Sequence, residues 1–176
     1  MGKITAKIYH FITDQIHQFN PDLIVGFNSF DMERETTILR SISGIDECTA
    51  GKLQEFGVDL FGVSFPLANN PAAREIASQK CLTPGPERLY NLLFRMVPEN
   101  TCNRIEKMIN WGGCYVMGCV YQGEIFGSVV IIVKNGKNLE NKETIEAFIN
   151  QASVALLRHR IRRPLPVFQH QVTSSK

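Results

Sequence analysis

The chain has 176 residues, a formal net charge of +2 and an apolar fraction of 44%. This length and composition predict one globular domain with a sizeable core, and the small net charge gives no electrostatic reason to expect nucleic-acid binding. No apolar run approaches the roughly 20 residues of a membrane-spanning helix, so we expect a cytoplasmic protein without a membrane span. Residues 1–163 are assigned to the single domain, and residues 164–176 to a disordered tail because they lack periodicity.

Eight elements are predicted before the most strongly patterned part of the chain. In order they are a helix at 6–19, strands at 22–28 and 35–42, a helix at 46–56, a strand at 61–67, and helices at 71–79, 86–96 and 100–110. Apolar residues recur at helical spacing in the first helix, with Ile8, Ile12 and Ile16 on one side. The first two strands are separated by a short turn and are expected to pair as a hairpin.

Two apolar runs at 114–120 and 125–133 follow. They are rich in β-branched and aromatic residues and flank a short link that contains Gly123, which predicts a tight hairpin. The second run is apolar apart from Gly127 and Ser128. It is therefore predicted to be a central strand with both faces covered.

After this hairpin the apolar period changes from two to about 3.6, which predicts a long amphipathic helix. Asn138 is the expected N-cap, and Pro164 ends the helix. At about 24 residues and 1.5 Å per residue, a helix over 140–163 spans roughly 36 Å, more than is needed to cover the sheet. Its protruding apolar stripe predicts a homodimer through residues 6–19 and 140–163.

Together these elements predict an α+β fold. An antiparallel sheet of about five to six strands carries the N- and C-terminal helices on one face. The short helices of the middle segment form a roof over a pocket on the other face.

Residues 112–163 resemble the C-terminal part of a GAF domain, with the greatest similarity to GAF domains of archaeal sensory histidine kinases. The segments that carry the resemblance are 123–128 (GEIFGS) and 145–156 (IEAFINQASVAL). The resemblance implies a GAF/PAS-like fold and a dimeric module that senses a small-molecule effector. It also implies a role in a two-component system, with a histidine kinase or a response regulator as the output partner. It does not name the ligand.

The candidate ligand-binding residues lie in the hairpin and in the helical segment before it. They are Phe94, Met96, Trp111, Cys114, Tyr115 and Met117. Tryptophan and tyrosine combine a large apolar body with one polar tip, which suits them to line a pocket. The alternative is that all six side chains only fill the core.

The five cysteines are odd in number and irregularly spaced, which predicts free thiols in a reducing compartment. Cys114 and Cys119 are five residues apart, so on a regular strand they face opposite sides, and no metal site is expected. Cys114, Cys119 and Cys102 are candidates for a redox thiol, or for a thiolate that anchors haem or a linear tetrapyrrole, as in some GAF domains. The alternative is that they are small buried apolar residues.

The sequence contains no recognisable catalytic motif. It has no phosphate-binding loop and no GxSxG elbow, and its four histidines lie in the terminal segments. The main hypothesis is therefore a sensory domain without catalytic activity that relays ligand state through its terminal helices. The alternatives are an enzyme similar to the GAF-fold free methionine-R-sulfoxide reductases, and a dimerisation or regulatory module without a pocket.

Overall fold

The computed structural model describes residues 3–31, 33–56, 64–67 and 71–161. The predicted tail at 164–176 lies outside them. The elements are α1 (Lys3–Phe19), β1 (Ile24–Asp31), β2 (Thr36–Ser43), α2 (Glu47–Glu55), β3 (Ser64–Pro66), α3 (Pro71–Ser78), β4 (Thr83–Pro84), α4 (Leu89–Leu92), α5 (Glu99–Met108), β5 (Trp111–Tyr121), β6 (Glu124–Lys134) and α6 (Lys142–Ile161). None of the described helices is both long and apolar enough to cross a membrane.

Within the described residues, six strands form one antiparallel sheet in the order β3-β2-β1-β6-β5-β4. The terminal helices α1 and α6 pack on one side of this sheet, which we term the helix face. Helices α2 to α5 cover the other side, which we term the roof face. The predicted α+β architecture, with terminal helices on one face and short helices on the other, is confirmed.

The β5–β6 hairpin occupies the centre and one side of the sheet. Its two turn residues, Gln122 and Gly123, have φ angles of 49° and 84°. Two consecutive positive φ angles are typical of the type I′ turn, whose twist matches that of paired strands. β6 lies between β5 and β1, so the prediction of a central strand is also confirmed.

The helix face is a closed apolar layer. Fully buried side chains that meet there are Ile12 and Ile16 of α1, Val129 and Ile131 of β6, and Ile145 and Ile149 of α6. Tyr9 of α1 stacks on Phe27 of β1 with ring centroids 4.7 Å apart. Each aliphatic side chain buried in this way stabilises the fold by about 1.5–3 kcal/mol relative to full exposure.

The C-terminal helix begins later than predicted. Its first residue is Lys142, so Asn138 is not its N-cap. Leu139 packs against the helix-face core from the irregular stretch before the helix, and Asn141 has a φ of 55°, a conformation that an α-helix cannot contain. The described helix has 20 residues, or about 30 Å at 1.5 Å per residue. Residues 162–163 of the predicted helix lie outside the described part of the chain.

The middle segment also differs from its prediction. The helix predicted at 86–96 is reduced to α4, which has four residues. Phe94 and Arg95 have φ angles of 54° and 61°, and these left-handed residues stop the helix. Before α4, the chain forms the short strand β4, which pairs with β5 although the sequence predicts no strand there.

Candidate functional site: a cavity between sheet and roof

A cavity of about 180 Å³ lies between the roof face of the sheet and the segments that cover it. Its floor comes from β1, β2, β5 and β6. Its other walls come from β3, the end of α3, Pro86 and the α4 region. The sheet positions the floor rigidly, whereas the walls come from short elements.

The floor owes its shape to side chains that leave space. Val130 and Ile132 of the central strand are only half-buried, although their neighbours Val129 and Ile131 on the helix face are fully buried. Gly26 of β1 adds no side chain, and a Cβ placed there would touch Leu39 at 3.4 Å. The cavity therefore lies over the middle of the sheet, where burial would otherwise be greatest.

The roof is mainly leucine and phenylalanine. Leu89, Leu92 and Leu93 line the cavity from the α4 region, together with Phe94. The rings of Phe94 and Phe65 of β3 are stacked, with centroids 5.7 Å apart and an angle of 29° between the planes. The left-handed turn after α4 thus brings an aromatic ring into the wall of the cavity.

Four polar side chains interrupt the apolar lining: Asn28, Thr37, Asn91 and Ser128. Asn28 and Ser128 are directly paired across β1 and β6. Thr37 of β2 is buried, and its Oγ1 atom has no hydrogen-bond partner within the described structure. Asn91 is exposed to solvent, which locates the mouth of the cavity at α4.

Of the six predicted ligand-binding residues, Phe94 lines this cavity. Met96 follows the turn after α4 and is 50% exposed. Trp111 packs in the apolar cluster between α5 and the sheet, and its indole Nε1–H donates a hydrogen bond to the Glu87 carbonyl at 2.9 Å. The structure assigns Met96 and Trp111 positions outside the cavity lining.

Three further candidates lie on β5. Tyr115 and Met117 face α1 and α6, and Met117 is fully buried there. Cys114 lies on the opposite side of the strand, at the end of the roof, and its thiol donates a long hydrogen bond to the Pro86 carbonyl at 3.5 Å. Within the described structure, Val116 is the only residue of β5 that lines the cavity. A ligand-binding role for these three residues stays a prediction.

All five cysteines are free thiols. Cys119 lies in the helix-face core, opposite to Cys114, so the prediction that the two face opposite sides is confirmed. Burial raises the pKa of both thiols to about 12, and a hydrogen bond with Ser153 partly opposes this rise at Cys119. Burial, followed by the charge of Glu106, also raises the pKa of Cys102. Burial therefore favours the protonated thiol in all three candidates, and none of them lines the cavity. A role as a redox thiol or as an anchor for haem or a linear tetrapyrrole stays a prediction.

Residues 76–86, which we term the edge segment, contact both the cavity and α6. Its start, Ile76 and Ala77, and its end, Pro86, line the cavity. Between them the segment follows β5 closely. Gly118 N–H donates to the Gln79 carbonyl and Gly85 N–H donates to the Cys114 carbonyl, each at 2.9 Å.

The middle of the edge segment crosses to the helix face. Leu82 is 2% exposed and belongs to the core beneath α1 and α6. Its backbone N–H donates to Oε1 of Glu146 on α6 at 2.7 Å. Lys142 lies 3.8 Å from the same carboxylate oxygen. One continuous stretch of eleven residues thus touches the cavity at both ends and the C-terminal helix in its middle.

Sequence reasoning missed the floor residues Gly26, Asn28 and Ser128. A signal for them was present, because Ser128 is polar within an otherwise apolar central strand and Asn28 ends the apolar run of β1. Each polar residue at the centre of a sheet needs a hydrogen-bond partner or a space that admits one. No comparable signal marked Glu146, which looks like an ordinary charged residue on an exposed helix side.

No protein-family model and no curated protein matches the sequence. Solved structures match it along nearly all of its length. The GAF domain/HD domain protein from Geobacter sulfurreducens superposes with a TM-score of 0.63 and 9% identity, over 90% of this chain and 96% of that chain. The second GAF domain of DevS from Mycobacterium smegmatis gives a TM-score of 0.57 and 13% identity, over 89% of this chain and 97% of the other.

A third match is to residues 122 to 287 of a methyl-accepting chemotaxis protein, with a TM-score of 0.60 and 16% identity, over 89% of each chain. At these identities the likeness concerns the fold alone. The chain has a GAF-like fold, as the sequence resemblance implies.

Proposed function

We propose that this chain is a small-molecule-sensing GAF domain of a signal-transduction protein. The observation that carries the proposal is the continuity between the cavity wall and α6 through the edge segment. A ligand that fills the cavity contacts the edge segment at Ile76, Ala77 and Pro86. The same segment is hydrogen-bonded to α6 through Glu146, so ligand occupancy and helix position are linked.

The geometry favours this function over a module without a pocket. A regulatory domain that had lost its ligand would be expected to fill the space between sheet and roof. Val130 and Ile132 instead border a void at the centre of the sheet. Such a void lowers the stability of the fold because packing contacts are lost. A ligand that fills the void would explain why it is present.

We further propose that the domain acts without catalysis. A reductase that works through a catalytic cysteine needs a thiolate at neutral pH. The raised pKa values of Cys102 and Cys114 oppose thiolate formation. Neither cysteine lines the cavity in which a substrate would lie.

The homodimer through residues 6–19 and 140–163 is also part of the proposal. Phe11 and Phe19 of α1 are 57% and 41% exposed, and both rings contact Phe148 of α6. Three phenylalanines on adjoining terminal helices form an apolar patch that a second copy can cover. Sedimentation velocity should show a dimer that Phe11→Ser weakens. The control Met96→Ser removes an equally exposed apolar residue from the roof side and should leave the dimer intact.

The proposed output partner is a histidine kinase or a response regulator in the cytoplasm. This step rests on the resemblance of residues 123–128 and 145–156 to GAF domains of sensory kinases. The structural similarity to a segment of a methyl-accepting chemotaxis protein is consistent with a signalling context.

The test compares ligand-loaded and ligand-stripped protein. Native mass spectrometry after incubation with a metabolite extract identifies any retained molecule, and hydrogen exchange then follows the backbone. We expect slower exchange in the edge segment and in α6 of the loaded protein. The control Glu146→Ala should keep the ligand but lose the response in α6. A loaded wild-type protein with unchanged exchange in α6 would overturn the proposal.

A further inference from the structure

We infer that the cavity binds a small uncharged aromatic molecule, of one ring or two fused rings, with one hydrogen-bonding group. The inference deepens the proposed sensing function and rests on it. Four features of the cavity carry it: its volume, the absence of charged side chains among its described lining residues, its aromatic wall and one polar spot on its floor.

The volume limits the size of the ligand. A dry apolar cavity of about 150 Å³, engineered in another protein, accommodates benzene. Pockets for drug-sized ligands measure about 300–1,000 Å³. At about 180 Å³ this cavity matches the first case. A cyclic nucleotide or a tetrapyrrole would require a much larger space.

The described lining residues disfavour a charged ligand. Among the described residues that line the cavity there is no Asp, Glu, Lys, Arg or His. A carboxylate or an ammonium group transferred into such surroundings loses its hydration without gaining a counter-charge. The ligand therefore enters in an uncharged form.

The wall favours an aromatic ring. Phe30, Phe65 and Phe94 contribute three rings to a cavity of this small volume. Phe65 and Phe94 already adopt an offset stacked arrangement with each other, at a centroid distance of 5.7 Å. A ligand ring beside them gains aromatic contacts beyond simple burial of apolar area.

The floor supplies one polar spot. Asn28 and Ser128 are directly opposite each other on β1 and β6, and Thr37 of β2 is paired with the cavity residue Phe30. The Oγ1 atom of Thr37 is closed off from the cavity space, so Asn28 and Ser128 supply the polar spot. A single hydroxyl or ring N–H on the ligand can bond to their side chains, whereas the other floor residues present apolar atoms to it.

The probes are phenol, indole and benzene, with benzoate as the charged counterpart of phenol. Titration calorimetry and thermal unfolding of the whole chain measure binding. Phenol and indole should bind and raise Tm in a concentration-dependent manner. Benzoate, ionised at pH 7, should bind at least about a hundredfold more weakly than phenol, because its charge is not compensated.

Two substitutions on β6 show whether binding occurs in the cavity. Val130→Phe places a ring in the void and should weaken phenol binding by more than about tenfold. Ile125→Phe introduces the same side chain at another half-buried position of β6 that does not line the cavity, and it should bind phenol like the wild type. Ser128→Ala should weaken phenol about 2- to 10-fold while leaving benzene unchanged, since only phenol can use the hydroxyl.

Each outcome decides the inference. Binding of uncharged rings that Val130→Phe abolishes and Ile125→Phe spares supports it. Tight binding of benzoate or of a cyclic nucleotide overturns the ligand class but leaves the sensing function standing. If no probe of either charge binds and Val130→Phe only stabilises the fold, the cavity is a packing defect, and both the ligand class and the sensing function are overturned.

Discussion

The two faces of the central sheet are built from the same strands, yet they are packed very differently. On the helix face, Val129 and Ile131 are fully buried beneath α1 and α6. On the roof face, the adjacent residues Val130 and Ile132 border the cavity and are half-buried. Strand alternation lets one segment serve both faces at once. Stability therefore resides mainly on the helix face, whereas the open space of the molecule lies on the roof face.

The largest effect is expected when matched substitutions on the two faces are compared by their free energies of unfolding. Ile131→Ala should lower the free energy of unfolding by about 2–5 kcal/mol, because it leaves a new cavity in a closed layer. Ile132→Ala, one residue along, removes the same atoms beside an existing void and should cost at least about 1 kcal/mol less. Urea denaturation of both variants measures the difference. Equal losses would contradict the distinction between the faces.

The second prediction concerns the part of the roof face that is closely packed. A Cβ on Gly118 would lie 1.8 Å from the Ala77 carbonyl oxygen, so β5 and the end of α3 touch backbone to backbone. Gly118→Ala should destabilise the fold by about 1–3 kcal/mol or more.

The matched control for this substitution is Gly51→Ala in α2. A Cβ there meets nothing within 4 Å, and alanine should stabilise the helix by up to about 1 kcal/mol. Thermal unfolding should therefore shift in opposite directions for the two Gly→Ala variants. A neutral Gly118→Ala would show that the edge segment can move away from β5 at little cost.

A smaller effect is expected where the two faces are joined. Glu146→Ala removes the acceptor of the partly buried Leu82 N–H and should cost about 1–2 kcal/mol. Glu146→Gln retains an acceptor oxygen and should cost less than about 1 kcal/mol. Hydrogen exchange at the Leu82 amide should be accelerated in the alanine variant and nearly unchanged in the glutamine variant. Similar exchange in both would mean that the carboxylate does not hold the edge segment.

The smallest effect is expected from the buried thiols, which should lower the free energy of unfolding at high pH. Folding raises the pKa of Cys114 and of Cys119 from 9.0 to about 12. Between these values the unfolded thiols are ionised while the folded ones are protonated, so the unfolded state gains stability as the pH rises above 9. Each thiol should lower the free energy of unfolding on the order of 1 kcal/mol between pH 9 and 10.

Measurement of unfolding against pH tests this effect, and Cys114→Ala should reduce the slope. Alkylation followed by mass spectrometry gives a second readout. Cys48 and Cys81 are exposed and should react in the folded protein, whereas Cys102, Cys114 and Cys119 should react only after unfolding. A slope that Cys114→Ala leaves unchanged would assign the pH effect to other groups.

The general fold could be predicted from sequence because its signals are local. The link at Gly123 and the nearly continuous apolar run of β6 define a hairpin and a central strand without reference to the rest of the chain. The boundaries of helices and strands were harder to predict. The helix α6 begins only at Lys142 because Leu139 packs against the core from an irregular stretch before the helix, which depends on tertiary contacts.

The candidate site was much harder to predict. The proposed set contained both Cys114 and Tyr115, although adjacent residues of one strand cannot face the same cavity. The alternation of side chains along β5 could have divided these residues between the two faces of the sheet. The choice of the face that borders the cavity, however, required knowing which face the roof covers. Phe94 was predicted as part of a helix and reaches the wall through a left-handed turn instead.

The hydrogen bond between Leu82 and Glu146 has a mechanical consequence. A hydrogen bond of 2.7 Å weakens once the distance between donor and acceptor increases by more than about 0.5 Å. A slide of α6 by one residue moves Glu146 by about 1.5 Å along the helix axis, and rotation about that axis carries it away from the edge segment. The bond therefore fixes the register of α6 against the edge segment, and a shift of the helix by a single residue would break it.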